Sequence, residues 1–210
     1  YIKSHKTVAA ELPSALFQSA VTRHETRHNK LLGSTGGENP YLLHQELGDV
    51  LTHAATVVRH NDQLDEALVK VDELQQRVQH CSLSDTGSWT NQNVIFTKAL
   101  QDMFPIAKAI VKGARLRDEC RGAHYKPEFS MPALTEEEPE ARRREAEQWC
   151  DRFEANNAKF LKTSIATLNG SDVDITYEDV DTSSIPARPR LYGLVGAEVI
   201  EEVWQARQAA

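Results

Sequence analysis

The sequence predicts a mainly α fold: an antiparallel three-helix bundle, with an N-terminal helix before it and a C-terminal extension containing a short β-hairpin after it. Apolar residues recur every three or four positions over long stretches, which is typical of amphipathic helices. Short breaks rich in Gly, Asn and Ser separate these stretches, and helices joined by short loops pack as antiparallel neighbours. Near the C-terminus, two segments of alternating polarity flank Asn169-Gly170, a strong hairpin signal.

The N-terminal helix is predicted from Val8 to Leu32. The glycine-rich run from Gly33 to Gly37 should end it, because glycine adopts backbone angles that other residues avoid. Asn39-Pro40 predicts the start of the first bundle helix, since Asn accepts a backbone N–H as a cap and Pro occupies a position that needs no donor. This helix should end near Arg59-His60.

The second and third bundle helices follow closely. Asn61 is predicted to cap the second with its side chain, and Asp62 lies in a first turn that favours negative charge. The third is predicted from about Asn91 to Asp118. The second carries a narrow apolar stripe of the kind that packs against neighbouring helices, formed by Leu64, Leu68, Val71, Leu74 and Val78.

The extension has four predicted parts. A highly charged helix runs from Thr135 to about Phe160, and the hairpin follows it. Pro186 and Pro189, with the arginines beside them, indicate an extended surface strap. A last amphipathic helix is predicted from Val195 to Gln208.

The length of 210 residues fits one ordinary domain with an extension. The composition changes at Ser130, so the predicted organisation is a helical bundle domain over residues 1–130 and an extension over residues 131–210. Because the chain opens at Tyr1 and not at Met, we expect it to be part of a longer protein.

Composition excludes several classes of function. The 24 Lys and Arg against 31 Asp and Glu give 24 − 31 = −7, a balance that disfavours nucleic-acid binding. No run reaches the ~18 apolar residues needed to span a bilayer, so no direct membrane insertion is expected. The three cysteines, Cys81, Cys120 and Cys150, lack any CxxC pair, which argues for a reducing compartment and against both disulfides and a cysteine-rich zinc site.

One formal metal-binding motif is present. His24-Glu25-Thr26-Arg27-His28 matches H-E-x-x-H, in which two histidines on one helix face bind zinc and the glutamate serves as general base. Its context is poor, because Arg23, Arg27 and Lys30 surround it and the sequence indicates no third ligand beyond the open candidates His44 and Glu46. A solvated helix face that happens to carry two histidines is the favoured interpretation.

Phosphate-binding loops are missing from the sequence. There is neither a G-x-G-x-x-G run nor a GK[ST] loop, and Gly36-Gly37 is followed by Glu38, whose charge would repel a phosphate. No dinucleotide or nucleotide site is therefore predicted in this chain.

A different cluster stands at the end of the third bundle helix. Arg121, Gly122, His124 and Tyr125 lie within five residues, and such side chains can cap exposed helix carbonyls or reach across an interface. We predict that they are buried or interfacial anchors. The alternative is a locally satisfied helix terminus with no partner.

The segment from Cys120 to Phe129, CRGAHYKPEF, resembles the arginine–glycine–alanine–histidine stretch near the end of succinate dehydrogenase and fumarate reductase flavoprotein subunits. Further blocks are similar to the same family in the same order: His44 to Asn61, Trp89 to Gln92, and Tyr177 to Asp181 with the strap behind it. Together they span about Ser14 to Tyr192. The chain thus resembles the helical C-terminal domain of that family.

The resemblance implies a whole enzyme that oxidises succinate to fumarate on covalently held FAD and passes electrons to an iron–sulfur subunit and quinone. The family's catalytic and flavin-binding residues lie upstream of this domain, and no position here matches their motifs. No catalytic, cofactor-binding or metal-binding residue is therefore assigned, and FAD is expected only in the full-length subunit. The fragment alone is expected to be inactive.

The partners that the resemblance implies are the flavin-binding and capping domains of the same subunit and the iron–sulfur subunit. The expected location is peripheral, on the cytoplasmic side of the inner membrane, within a membrane-bound complex. Two departures stand out: Cys120 occupies a position that is often Ser in the family, and Leu134 to Glu147 looks like an insertion.

Three other interpretations stay open from sequence. The chain could be a stand-alone helical interaction module that shares this bundle, or a zinc hydrolase using His24, Glu25 and His28. Within the flavoprotein superfamily, it could be the similar helical domain of an aspartate oxidase. The segment from Tyr177 to Val180 and the strap favour succinate dehydrogenase.

Overall fold

The computed structural model describes Ser4, Lys6 and residues 8–209. These residues form six α-helices and one two-stranded antiparallel sheet, with short 3-10 helices at Ala9–Glu11, Val78–His80 and Pro127–Phe129. The prediction of a mainly α fold with a bundle, a preceding helix and a later hairpin is confirmed. The elements are α1 (Ser14–Leu32), α2 (Pro40–Ala54), α3 (Asn61–Arg77), α4 (Gln92–Leu116), α5 (Pro139–Phe160), β1 (Lys162–Asn169), β2 (Asp172–Asp179) and α6 (Ala197–Ala209).

The described residues divide into two structural units. The first comprises the residues up to Gly48 together with Asp72–Phe104, and the second comprises Asp49–Val71 and the residues from Pro105 onward. The predicted boundary at residue 130 remains a prediction. None of the helices in the described part of the chain is both long and apolar enough to cross a membrane.

Each unit has its own apolar packing. In the first, α1 and α4 contribute to a small buried cluster formed by Leu31, Leu83 and Val94. In the second, α2, α3 and α4 pack around Ala54, Leu64, Ala67, Val111 and Ala114. Another cluster in the second unit joins α5 to α6 and contains Leu134, Ala146, Trp149, Cys150, Ile200, Val203 and Trp204.

Side-chain caps set where two helices begin. Asn91 accepts the backbone N–H of Val94 at 3.0 Å, so α4 starts immediately after it. Glu138 accepts the N–H of Ala141 at 2.7 Å, and α5 therefore begins at Pro139 and not at Thr135 as predicted. Negative charge at this position also interacts favourably with the positive end of the helix dipole.

The end of α2 differs from the prediction. The helix stops at Ala54 and not near Arg59, because Arg59 turns back and donates to the carbonyls of Ala55 at 2.9 Å and Thr56 at 2.7 Å. The following backbone pairs with Tyr125, whose N–H donates to Val57 and whose carbonyl accepts from Arg59. This pairing partner lies far away in sequence, so helical periodicity could not reveal it.

The predicted cap at Asn61 is wrong. Its side-chain amide donates to Asp118 at 3.1 Å, and its Oδ1 atom is buried without a hydrogen-bond partner among the described residues. The carbonyl of His60 accepts the N–H of Leu64 and so makes the first helical hydrogen bond of this segment. A tertiary contact has replaced the local cap.

The predicted hairpin is confirmed. Lys162 pairs with Asp179 and the register continues to Asn169 opposite Asp172, leaving a two-residue turn in which Gly170 has a φ of 62°. Lys112 of α4 holds the turn through an ion pair with Asp172 at 3.0 Å. The terminal helix predicted from Val195 to Gln208 is observed as α6.

Candidate functional site

The loop that follows α4 gathers three charged side chains into one group, here named the arginine–glutamate cluster: Arg117, Glu119 and Arg121. The side chain of Glu119 is fully buried, whereas 16% of Arg117 and 35% of Arg121 are exposed. Arg117 hydrogen-bonds Oε1 of Glu119 through Nε at 3.1 Å and also through Nη2. Arg121 donates from Nε to Oε2 at 3.0 Å. The cluster therefore places one carboxylate between two guanidinium groups.

Residues from α5 and β1 complete the cluster. Asn156 donates to Oε2 of Glu119 at 3.2 Å, and Asn157 accepts from Nη2 of Arg121 at 2.8 Å. Arg117 also donates to the carbonyls of Phe160 at 2.5 Å and Lys162 at 3.2 Å. A guanidinium thus satisfies a carbonyl exposed at the C-terminal end of α5, where positive charge is favourable.

This arrangement suits structural support and not acid–base chemistry. A buried carboxylate is tolerated only when it is paired and hydrogen-bonded, and both oxygens of Glu119 already accept hydrogen bonds. No acceptor position is left for a substrate proton. Two guanidinium groups against one carboxylate leave a positive charge on the cluster, and the partly exposed Arg121 presents it toward solvent.

A tight turn carries Arg121 and His124. Their backbones exchange hydrogen bonds of 2.9 and 3.0 Å across Gly122 and Ala123. Gly122 has a φ of 60°, a conformation that non-glycine residues rarely adopt, and its place at the first central position is typical of a type II′ turn. A Cβ atom added there would meet no atom within 4 Å, so the requirement for glycine comes from the backbone and not from crowding.

His124 joins this turn to the end of α2. Its Nε2 lies 2.8 Å from the carbonyl of Arg117, and a carbonyl only accepts, so Nε2 carries the hydrogen. Its Nδ1 then accepts from Nη1 of Arg59 at 2.6 Å. Burial lowers the pKa of His124 and the charge of Arg59 lowers it further, despite the opposing effect of the Arg117 carbonyl. The geometry thus favours the neutral imidazole.

A buried lysine closes the loop. Lys126 is fully buried and donates to Asp118 at 2.9 Å and to the carbonyl of Arg115 at 3.1 Å. Burial acts to raise the pKa of Asp118, but the hydrogen bonds from Lys126 and Asn61 outweigh it, so the net shift is downward. The charges at this position are paired inside the protein.

The four residues that the sequence singled out therefore lie in one loop with different surroundings. Arg121 contacts Glu119, Gly122 forms the turn, His124 bridges to Arg59, and the Tyr125 side chain is 39% exposed. Whether they act as interfacial anchors stays a prediction.

Sequence reasoning missed the central acceptor, Glu119, and the buried Lys126. The alternation of positive, negative and positive charge at positions 117, 119 and 121 was the available signal, because residues two apart share a side of an extended segment.

The H-E-x-x-H motif in the first unit does not form a metal centre. His24 and Glu25 are exposed on α1, and Nδ1 of His28 lies 3.3 Å from the ammonium of Lys98. Across the described residues, no group of three or more His, Cys, Asp or Glu side chains could hold a metal ion. The zinc hydrolase interpretation is not favoured.

Neither the arginine–glutamate cluster nor the glycine-rich run before Glu38 fits the pyrophosphate of FAD. A pyrophosphate is bound by cations and by N–H groups of a glycine-rich turn. Here Arg117 and Arg121 are engaged by Glu119, and the carboxylate after Gly36-Gly37 is that of Glu38, paired with Arg77 at 2.8 Å. No flavin chemistry is assigned to these side chains.

A protein-family model gives the class of protein to which this chain belongs. Residues 44–192 match the model of the family described as the fumarate reductase flavoprotein C-terminal region. The chain belongs to this family, and the resemblance drawn from its sequence motifs is confirmed.

Individual relatives are consistent with this family assignment. The chain is 34% identical over 194 residues to the succinate dehydrogenase flavoprotein subunit of Bacillus subtilis (strain 168), covering 91% of this chain and 29% of the relative. It is 25% identical over 170 residues to the fumarate reductase flavoprotein subunit of Escherichia coli (strain K12), covering 80% of this chain and 25% of that protein. The chain thus spans less than a third of these relatives.

Solved structures share the fold. A chain of E. coli quinol fumarate reductase matches 87% of this chain and 28% of its own length with a TM-score of 0.69 and 23% identity. A chain of the Mycobacterium smegmatis Sdh1 complex matches 83% of this chain and 26% of its own length with a TM-score of 0.57 and 21% identity. Neither the stand-alone module nor the aspartate oxidase domain is favoured by these comparisons.

Proposed function

We propose that this chain works as the C-terminal helical domain of a succinate dehydrogenase or fumarate reductase flavoprotein subunit. The observation that carries the proposal is the 34% identity to a succinate dehydrogenase flavoprotein subunit across 91% of this chain. In the whole enzyme, FAD held outside this chain would take two electrons from succinate, yielding fumarate. The electrons would pass to an iron–sulfur subunit and quinone.

The proposed contribution of this domain is structural support. The arginine–glutamate cluster fastens the end of α4 to the end of α5 and the start of β1, and His124 fastens the same loop to the end of α2. A loop held at three places is a firm surface against which flavin-binding and capping domains can pack.

The proposed location is peripheral, on the cytoplasmic side of the inner membrane and within a membrane-bound complex. The support is the likeness of the fold to a chain of quinol fumarate reductase. Activity should therefore sediment with membranes and be released as a protein complex by detergent.

The test uses the full-length subunit that carries this sequence, purified from its own membranes with its partners. We expect flavin fluorescence on the polypeptide whose tryptic peptides include this sequence, together with succinate-dependent reduction of an artificial acceptor. A polypeptide without flavin, or a complex that neither oxidises succinate nor reduces fumarate, would contradict the proposal.

For contact with the iron–sulfur subunit, we propose Arg121 and Tyr125 as the interfacial anchors, presented by the turn at Gly122 and His124. The support is their partial exposure next to a rigid loop, and Arg and Tyr are the residue types enriched in interface hot spots.

Tyr125→Ser should weaken retention of the iron–sulfur subunit about tenfold during purification of the complex, because a buried interfacial tyrosine contributes at least 1.4 kcal/mol at a hot spot. Tyr177→Ser is the matched control, since Tyr177 is also 39% exposed. Equal retention in the two variants, measured by quantitative gel analysis of the purified complex, would exclude Tyr125 as an anchor.

A further inference from the structure

The first half of α1 carries an apolar face that the described residues leave uncovered. Leu16, Phe17 and Val21 are 58%, 50% and 47% exposed, and Leu12 just before the helix is 42% exposed. Phe17 and Val21 are four positions apart and lie on the same side of the helix, with Leu16 at the edge of that side and Leu12 just before the helix. These four side chains are here named the apolar stripe. No side chain from Ser14 to Thr26 is buried.

The second half of α1 is anchored. Leu31 is buried in a cluster with Leu83 and Val94, and Arg27 forms an ion pair with Asp102 at 2.9 Å. The two halves of α1 thus differ in packing. A short helix is only marginally stable in water and gains most of its stability from burying its apolar face. A contiguous exposed apolar stripe marks an interaction site more often than a solvated surface.

We propose that the apolar stripe of α1 is a docking surface for the preceding, flavin-carrying part of the same polypeptide. The inference rests on the proposed function and deepens it by naming the surface. This chain covers 29% of its B. subtilis relative, so 100 − 29 = 71% of that protein lies outside the match. The family is a C-terminal region, so the remainder of such a subunit lies on the N-terminal side, where α1 is the first α-helix described.

Covalent connection favours this occupant over a separate protein. A segment joined to α1 through a short stretch of chain has a high effective concentration at the stripe, whereas a second copy or another subunit must bind from solution. The loop-closure entropy is also small when the two parts are close in sequence. An intramolecular partner therefore covers the stripe at any protein concentration.

The test compares thiol labelling of the 210-residue chain with that of the full-length subunit purified without other subunits. Cys120→Ser serves as the background, because Cys81 and Cys150 are buried. Phe17→Cys places a thiol on the stripe, and Gln18→Cys places the matched control on the next, polar position, which is also exposed. A maleimide reagent reports accessibility at each site.

We expect Phe17→Cys to react about tenfold more slowly in the full-length subunit than in the 210-residue chain, and Gln18→Cys to react at rates within about twofold in the two proteins. Equal rates for Phe17→Cys in both proteins would overturn the inference. So would protection that rises with protein concentration, which indicates a second copy, or protection that requires the iron–sulfur subunit.

The same preparation separates this inference from the proposed function. Bound flavin and succinate-dependent activity without protection at the Phe17→Cys site would overturn the docking alone. Protection in a subunit with neither flavin nor activity would support the docking and contradict the proposed function.

Discussion

Glu119 is the residue through which the loop after α4 is held together. Its buried carboxylate accepts from Arg117, Arg121 and Asn156. Removing one partner of such a group is far more costly than removing an exposed ion pair, because the remaining charges stay partly desolvated. The loop should therefore be more sensitive to Glu119 than to any exposed carboxylate.

We predict that Glu119→Gln lowers the free energy of unfolding of the chain by roughly 2–4 kcal/mol, less than for a fully buried pair because Arg121 is partly exposed. Glu202→Gln, an identical change at an exposed position of α6, should alter it by no more than about 0.5 kcal/mol. Urea denaturation monitored by circular dichroism measures both. Similar losses in the two variants would show that the cluster does not hold the loop.

His124 predicts a pH dependence with a definite sign. Burial and the charge of Arg59 lower its pKa below the usual value of 6.5 in the folded state, so the unfolded chain binds a proton more readily. Neutral His124 therefore contributes to the free energy of unfolding above pH 6.5. That contribution is lost as the pH falls from 6.5 toward the lower pKa of His124 in the folded state.

His124→Gln should accordingly reduce the fall in stability between neutral and mildly acidic pH, even though its stability at neutral pH is lower. His53→Gln, at an exposed position of α2, serves as the control and should retain the wild-type fall. Unfolding free energies at a series of pH values give the slopes. An unchanged slope in His124→Gln would contradict the neutral, buried imidazole.

At the scale of elements, the turn between Arg121 and His124 depends on backbone geometry. Gly122→Ala should destabilise the chain by about 1–2 kcal/mol, because an L-residue is strained at positive φ. Gly113→Ala, in the last turn of α4 and with nothing within 4 Å of the added Cβ, should instead stabilise it by up to about 0.5–1 kcal/mol. Thermal unfolding distinguishes the two. Stabilisation by both changes would mean that the left-handed turn is not required.

Helices were predictable where local pattern decides them. The apolar periodicity of α3 and α4 follows from their own residues, and Asn169-Gly170 specified the hairpin without reference to the rest of the molecule. Errors arose where distant residues intervene. Arg59 and its pairing with Tyr125 replace the last predicted turn of α2, and Asp118 takes the Asn61 amide away from its cap position.

The loop after α4 was predictable only in part, because residues distant in the sequence complete it. The Arg121–Tyr125 stretch is contiguous, so its residues could be grouped from sequence. Glu119 accepts a hydrogen bond from Asn156 on α5, which lies 37 positions later in the chain. Nothing in the local sequence distinguishes a buried Lys126 from the many solvated lysines, since its partners become close only through folding.

At the scale of the whole molecule, several charged groups of the chain hold its own loops, among them Arg117, Glu119 and Lys126. It belongs to the C-terminal family of fumarate reductase flavoproteins and spans less than a third of its curated relatives. We therefore propose that this domain supplies support and contact surface. The residues that bind flavin and substrate would lie on the remainder of the subunit.

The most direct measurement is the visible absorption spectrum of the purified 210-residue chain after incubation with excess FAD and gel filtration. We predict protein absorbance alone and no turnover of succinate, because neither the arginine–glutamate cluster nor the glycine-rich run before Glu38 fits a pyrophosphate. A flavin band that co-elutes with the chain at equal stoichiometry would contradict the claim that this domain supports a redox centre located elsewhere.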